Sequence, residues 1–329
     1  MTWANYNPIQ AMLEQYHEVS NEDDVLIPTT DDVAWTHFVE QRWVYDKMRI
    51  CASQDIPHGP IGTTPTEYPI CVKPIYNLFG GSIKSHVCHN EEQYRKIIDP
   101  SLFWSPYHMG DHYSVDLIMC NGSVVERFVF CGEKLQHGAF DYWYLINDDL
   151  YNHAIDDAVR IAWSWAQEQL WDYTGCVNIE IIGTSIIEVQ LRMGDIDRLG
   201  CASLMESIHN LYATNNWTWK QPANFPEHFY LAALFGQPNV NFSINYNIVD
   251  EICDKLTYWQ IDNPKEYFAN PYHGNRLAVF CGENWSEVVK ARNLTIALFS
   301  PDIDGRYVDC LSGFREKFSY KFKYKFSRP

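Results

Sequence analysis

Between residues 176 and 192, polar and apolar side chains alternate on both sides of Gly183-Thr184-Ser185, the period of two half-buried strands joined by a short turn. Pairing Ile182 with Ile186 sets Glu180 opposite Glu188 and Asn178 opposite Gln190. Like charges directly across a ladder destabilise a sheet, so a cation between them reverses the penalty. Magnesium suits such a place, because it takes oxygen ligands, one or two carboxylates together with substrate phosphates. Arg192 continues the same face with an always-charged fork that fits phosphate. The competing reading is a solvated sheet face whose hairpin slips by one residue, which sends the two glutamates to opposite faces.

Upstream, the pattern predicts a strand at Val25–Pro28 after an acidic linker, then helical structure over 31–54 with the acidic opening Asp31-Asp32. Ile56–Pro60 breaks it. Pro69–Pro74 reads as a short apolar strand holding Lys73, followed by a Gly80-Gly81-Ser82 loop and a strand through His86–Cys88. Asn90 caps a helix to Ile98. Tyr113–Met119 and Val124–Phe130 alternate around Asn121-Gly122, the strongest two-residue hairpin signal. Residues 151–173 form an amphipathic helix with Ile155, Val159, Ala162, Trp165, Ala166 and Leu170 on its apolar stripe. Further helices are expected from Gly200 to about Tyr212 and at Glu287–Asn293, with strands near 239–248 and 276–281.

Composition narrows the classes. The chain has 329 residues, 46% of them apolar, enough for one large or two to three smaller cores. A net charge of −17 repels nucleic-acid backbones and anionic membranes, so a general nucleic-acid binder is not expected. None of the ten cysteines forms a CxxC pair, which argues against a zinc or redox motif and for reduced thiols in a cytoplasmic setting. The first residues show no basic region leading into an apolar run, and no stretch approaches the roughly 20 apolar residues that cross a bilayer.

Three chemical elements occur in order: Lys47 on a helical segment, Lys73 before a Gly-Gly-Ser loop whose bare amides can approach phosphate oxygens, and the carboxylate hairpin. This order resembles the ATP-grasp superfamily from about Val25 to Gly200. The resemblance is borne by Asp46–Pro57 with Tyr68–Pro74, by Gly110–Asp116 with its Asn121-Gly122 turn, and by Gly175–Glu180 with Ile187–Arg192. It implies an α+β fold in which two lobes close over ATP, with a reduced N-terminal segment (1–40), a core at 41–200 split into lobes 41–110 and 111–200, and an additional C-terminal α/β region (201–329). It further implies that Lys47 and Lys73 contact the α- and β-phosphates, with Gly80, Gly81 and Ser82 as the flap over them. Tyr107 and Asp111 would lie beside the nucleotide. Glu180, Glu188 and Gln190 would hold Mg2+, and Arg192 would act on the transferred phosphoryl group. The implied activity is a ligase, carbon–nitrogen bond forming, that activates a small-molecule carboxylate as an acyl phosphate for attack by an amine or similar nucleophile.

The sequence also departs from the family pattern. Gln190 stands where members usually carry Asn, and the region Trp104–Gly110 has no carboxylate before Asp111. The stretch before Val25 is far shorter than the usual leading domain. These departures motivate a second reading, a degenerate ATP-grasp module that binds nucleotide or serves as a structural component without catalysis. Transfer to a hydroxyl, as in a kinase, has the same nucleotide half. Homo-oligomerisation is left open. Secondary candidates are Lys134, His137, His273 and Arg276. The alternating tail Lys317–Phe326 reads first as an edge strand with discouraging lysines, and otherwise as an anion- or RNA-contacting arm.

Overall fold

A computed structural model describes residues 25–76, 78, 84–134, 140–146, 153–236, 246–261, 275–296 and 298. Chain entry is through helix α1 (Asp31–His37), a 3-10 turn at Arg42–Tyr45 and helix α2 (Lys47–Ala52). Asp46 caps α2, its side chain accepting from the amides of Met48 and Arg49 at 3.0 and 3.3 Å. A small antiparallel sheet follows, built from β1 (Gly59–Pro60), β2 (Ile70–Pro74), β3 (His86–Cys88) and β4 (Leu102–Pro106) in the order β1-β4-β2-β3. Helix α3 (Glu91–Tyr94) lies between β3 and β4, with the Asn90 side chain accepting from the Gln93 amide at 3.0 Å. Ile70, Val72, Leu102 and Trp104 bury one face of this sheet with Tyr94. Alternation sends Cys71 and Lys73 to the other face.

The second sheet has eight antiparallel strands: β5 (His112–Cys120), β6 (Ser123–Lys134), β7 (Phe140–Leu145), β8 (Gly175–Ile182), β9 (Ser185–Gln190), β10 (Tyr230–Gly236), β11 (Tyr258–Ile261) and β12 (Asn275–Gly282). Their order is β11-β12-β10-β7-β6-β5-β8-β9, so strands from the C-terminal region extend the sheet that carries the carboxylate hairpin. Helix α4 (His153–Gln169) covers one face, packing Ile155, Ala158, Val159, Ala162 and Trp165 against Val115, Leu117, Val177, Ile179 and Val189. Helix α5 (Ala202–Thr214) covers part of the other, with Leu204, Met205, Ile208 and Leu211 against Ile118, Phe128, Phe130 and Cys176. Helices α6 (Tyr246–Ile252) and α7 (Trp285–Ile296) pack on the distal strands through Val249, Val288 and Ala291. No helix among the described residues is long and apolar enough to cross a membrane.

Several elements differ from the sequence expectation. Val25–Pro28 is irregular, with no partner strand among the described residues, yet Val25 and Ile27 still bury in the α5 core. The expected strand near 239–248 falls partly outside the described residues, and the rest of it begins α6. Strands β4 and β7 lack a polar–apolar period because both faces are covered, so neither signals itself by alternation. The Asn121-Gly122 turn forms as expected, with φ of 49° and 75°, the left-handed pair a tight hairpin requires.

Candidate active site

The hairpin β8–β9 reaches the expected opposition by a different route. Ile182 pairs with Ser185, not Ile186, so the turn is one residue shorter than the alternation suggests. A bulge between Glu180 and Ile181 then leaves Ile187 without an opposite residue, and the two shifts cancel. Glu180 faces Glu188 and Asn178 faces Gln190.

Three residues from α2, the turn after it and β2 grip the bulged segment. The Gln54 side-chain amide behaves like one residue of a further strand, accepting from the Ile186 amide at 2.8 Å and donating to its carbonyl at 2.9 Å. Lys73 Nζ donates to the carbonyl of Ile187 at 3.2 Å, using the group the bulge released. Lys47, buried at the start of α2, places Nζ 3.1 Å from Glu188 Oε2. Successive residues 186, 187 and 188 are thereby each tied to the small-sheet side of the molecule.

The neighbouring strand β5 completes the polar face. Its register sets Ser114 beside Glu180 and Asp116 beside Asn178. His112 Nε2 lies 3.1 Å from Glu180 Oε2, with the ring edge-on to Phe140 and Trp143. Burial alone would raise the Glu180 carboxyl; the His112 hydrogen bond and charge, with Lys47 and Arg192 further off, hold it below its ordinary value. The penalty of facing Glu180 with Glu188 is thus relieved by the Lys47 charge on one side and the His112 hydrogen bond on the other. Gln190 Nε2 reaches Glu188 Oε1 at 3.4 Å.

Two residues past the end of β9, Arg192 lies against Asp31, with Nε at 2.8 Å and Nη2 at 3.3 Å from the two carboxylate oxygens. Asp116 is buried below it. One oxygen of Asp116 accepts from the Gly194 amide at 2.6 Å and the Asn178 amide at 3.1 Å, while the other has no partner among the described residues. Burial pushes its carboxyl up to about 7, opposed by the Gly194 hydrogen bond. A side chain at Gly194 would meet Asn178 at 2.5 Å and Asp116 at 2.7 Å, so only glycine admits this approach.

Of the residues singled out from the sequence, Lys47, Lys73, Glu180, Glu188, Gln190 and Arg192 converge on one polar face. Tyr107 and Asp111 lie in the β4–β5 connection. Tyr107 is exposed, its amide bonding Pro69, and the Asp111 carbonyl accepts from Gly183 at 3.0 Å. Gly80, Gly81 and Ser82 lie outside the described residues, as do His137, His273 and the Lys317–Phe326 tail. Arg276 sits on β12, separated from β8 by β10, β7, β6 and β5. The sequence reading missed Gln54, Asp31, His112 and Asp116 as members of the site. The last two were available from parity: residues 112, 114 and 116 share a face of β5, and that face continues through 178 and 180.

Oxygen donors from Glu180, Glu188 and Gln190 have the chemistry for magnesium. Among the described residues no group of three or more His, Cys, Asp and Glu could hold a metal unaided. A pair of carboxylates nevertheless suits an ion that keeps waters and takes its remaining ligands from phosphates. Lys47 and Lys73 supply the positive charge that a polyphosphate needs nearby.

No protein-family model matches the chain, and no curated protein sequence matches it. Solved structures do. The L-amino acid ligase of Bacillus licheniformis is similar with a TM-score of 0.57 at 10% identity, covering 81% of this chain and 82% of that one. Carboxyaminoimidazole ribonucleotide synthase of Aspergillus clavatus, crystallised with ATP, gives 0.56 at 14% identity, covering 88% and 79%. The biotin carboxylase domain dimer of Hydrogenobacter thermophilus 2-oxoglutarate carboxylase, with MgADP and bicarbonate, gives 0.52 at 12% identity, covering 92% and 80%. At such identities the likeness is one of fold.

Proposed function

Starting from the ATP-grasp fold that this chain has, we propose that it is an ATP- and magnesium-dependent ligase that activates a carboxylate for attack by an amine or similar nucleophile. The observation carrying this reading is the convergence of Lys47, Lys73, Glu180, Glu188 and Arg192, drawn from α2, β2, the β8–β9 hairpin and the segment after it. In the proposed reaction a substrate carboxylate oxygen attacks the γ-phosphorus of ATP, the bond to the β-phosphate oxygen breaks, and ADP leaves. The nucleophile then attacks the carbonyl carbon, loses its proton, and expels phosphate.

This chain's part is positioning and charge neutralisation, which is most of what phosphoryl transfer asks of a protein. Lys47 and Lys73 would bind phosphate oxygens and orient the triphosphate. Glu180, Glu188 and Gln190 would hold magnesium, which when bound neutralises charge on the phosphates. Arg192 would meet the oxygens of the group in transfer. Small-molecule carboxylate and nucleophile are the proposed partners, in a cytoplasmic setting. The biotin carboxylase domain named above is a dimer, and a homo-oligomer is compatible with this reading.

One observation favours the second reading, a nucleotide-binding or structural module without catalysis: Glu188 and Glu180 each have a side-chain partner within the chain, Lys47 and His112. Thermal melts of the full chain with millimolar Mg-ATP, followed by ADP release with panels of carboxylates and amines, test both. Stabilisation with carboxylate-dependent ADP release supports the ligase. Stabilisation without turnover across a broad panel supports the module, and no stabilisation at all overturns nucleotide use.

A further inference from the structure

Arg192 has five N–H donors in a fixed fork. Two go to Asp31, from Nε at 2.8 Å and Nη2 at 3.3 Å, and one goes from Nη1 to the Met193 carbonyl at 2.8 Å. That leaves one N–H on each terminal nitrogen without a described partner, on a side chain that keeps 19% of its surface exposed. Asp31 is itself buried, at 4% exposure. Tyr45 holds it in place, its hydroxyl 3.5 Å from Asp31 Oδ1 while accepting from the Leu191 amide at 3.1 Å. The pair therefore joins the start of α1 to the end of β9 beside the Lys47–Glu188 pair.

Resting on the ATP-using reading above, we propose that Asp31 is a positioning residue for phosphoryl transfer, anchoring one edge of Arg192 so that its remaining donors meet the γ-phosphoryl group of ATP. A buried ion pair is a poor source of net stability, since an apolar replacement of similar volume is often neutral or better. What the pair does supply is orientation: a guanidinium already held on one edge has less freedom to lose on meeting phosphate. Asp31 thus acts through Arg192 and on the terminal phosphate alone.

Calorimetric titration of the full chain with Mg-ATP and with Mg-ADP tests this without any acceptor substrate. Asp31→Asn keeps the shape and removes the charge. It is expected to weaken Mg-ATP binding about tenfold, the scale of one charge-assisted hydrogen bond, while Mg-ADP binding stays as in the parent. In a cycle with Arg192→Lys, the double variant should bind Mg-ATP no more weakly than Arg192→Lys alone. Should Asp31→Asn fail to fold, Tyr45→Phe should give a smaller loss of the same ATP-selective kind. Equal weakening of both nucleotides, an unchanged Mg-ATP affinity, or additive effects in the cycle would overturn the inference while leaving nucleotide use intact. A parent chain that binds neither nucleotide overturns the underlying reading as well.

Discussion

The β9 edge and the middle of the eight-stranded sheet each have an arginine against a distant aspartate, and the two pairs have different surroundings. Arg192 meets Asp31, 161 residues upstream, just past β9, while Arg292 on α7 meets Asp141 on the central strand β7, 151 residues upstream. Arg292 is fully buried, with Tyr142, Leu234, Phe280 and Val288 in the core around this part of the sheet. Arg192 remains partly exposed and borders the Lys47–Glu188 ion pair and the His112–Glu180 hydrogen bond. One and the same pairing fixes a helix to a sheet at Arg292 and leaves a partly exposed cation among other polar groups at Arg192. Surroundings, not the pair, set the role.

Four measurements would break or sharpen that contrast. The largest effect is expected at the sealed pair: Arg292→Ala strands Asp141 in an apolar core and should cost about 3–5 kcal/mol in urea unfolding. A loss below about 1 kcal/mol would show that the sealed pair is dispensable. At the open end, Lys73→Ala, Glu188→Ala and Arg192→Ala should each slow ATP-dependent turnover by roughly 10²-fold or more. Parent-like rates in all three would refute the roles assigned here.

The third measurement concerns pH. The Asp116 carboxyl is raised by burial in the folded chain to about 7, from an ordinary aspartate value near 4. The folded state therefore binds the proton more tightly, and this stability is present at low pH and lost as pH rises from about 4 through about 7. Asp116→Asn retains an oxygen for the Gly194 and Asn178 amides, so its melting temperature should fall less than the parent's between pH 5 and 8. Parallel pH profiles would sink this account. The smallest effect is expected for Gln54→Ala, which frees both backbone groups of Ile186 and should cost about 1–2 kcal/mol in unfolding.

The legible part of the site was local in sequence. Glu180, Glu188 and Gln190 sit within one hairpin, so alternation alone aligned them, and it did so although the turn was misread by one residue. Compensation by the Ile187 bulge was not readable, because it depends on Gln54 and Lys73, 114 or more residues away. Asp31 has the look of an ordinary acidic helix start, and only the fold brings it to Arg192. The missed strands β4 and β7 fail for another reason: a strand covered on both faces has no polar face to keep time with.

Strand β9 ends the sheet, and an uncovered final strand is a template on which another chain can add its own backbone. Gln54 spends both ends of its amide on Ile186, in the middle of that border. The residue that keeps the carboxylates in register consequently also denies a landing place to intermolecular β-pairing, so alignment of the cleft and resistance to self-association are inherited from one side chain.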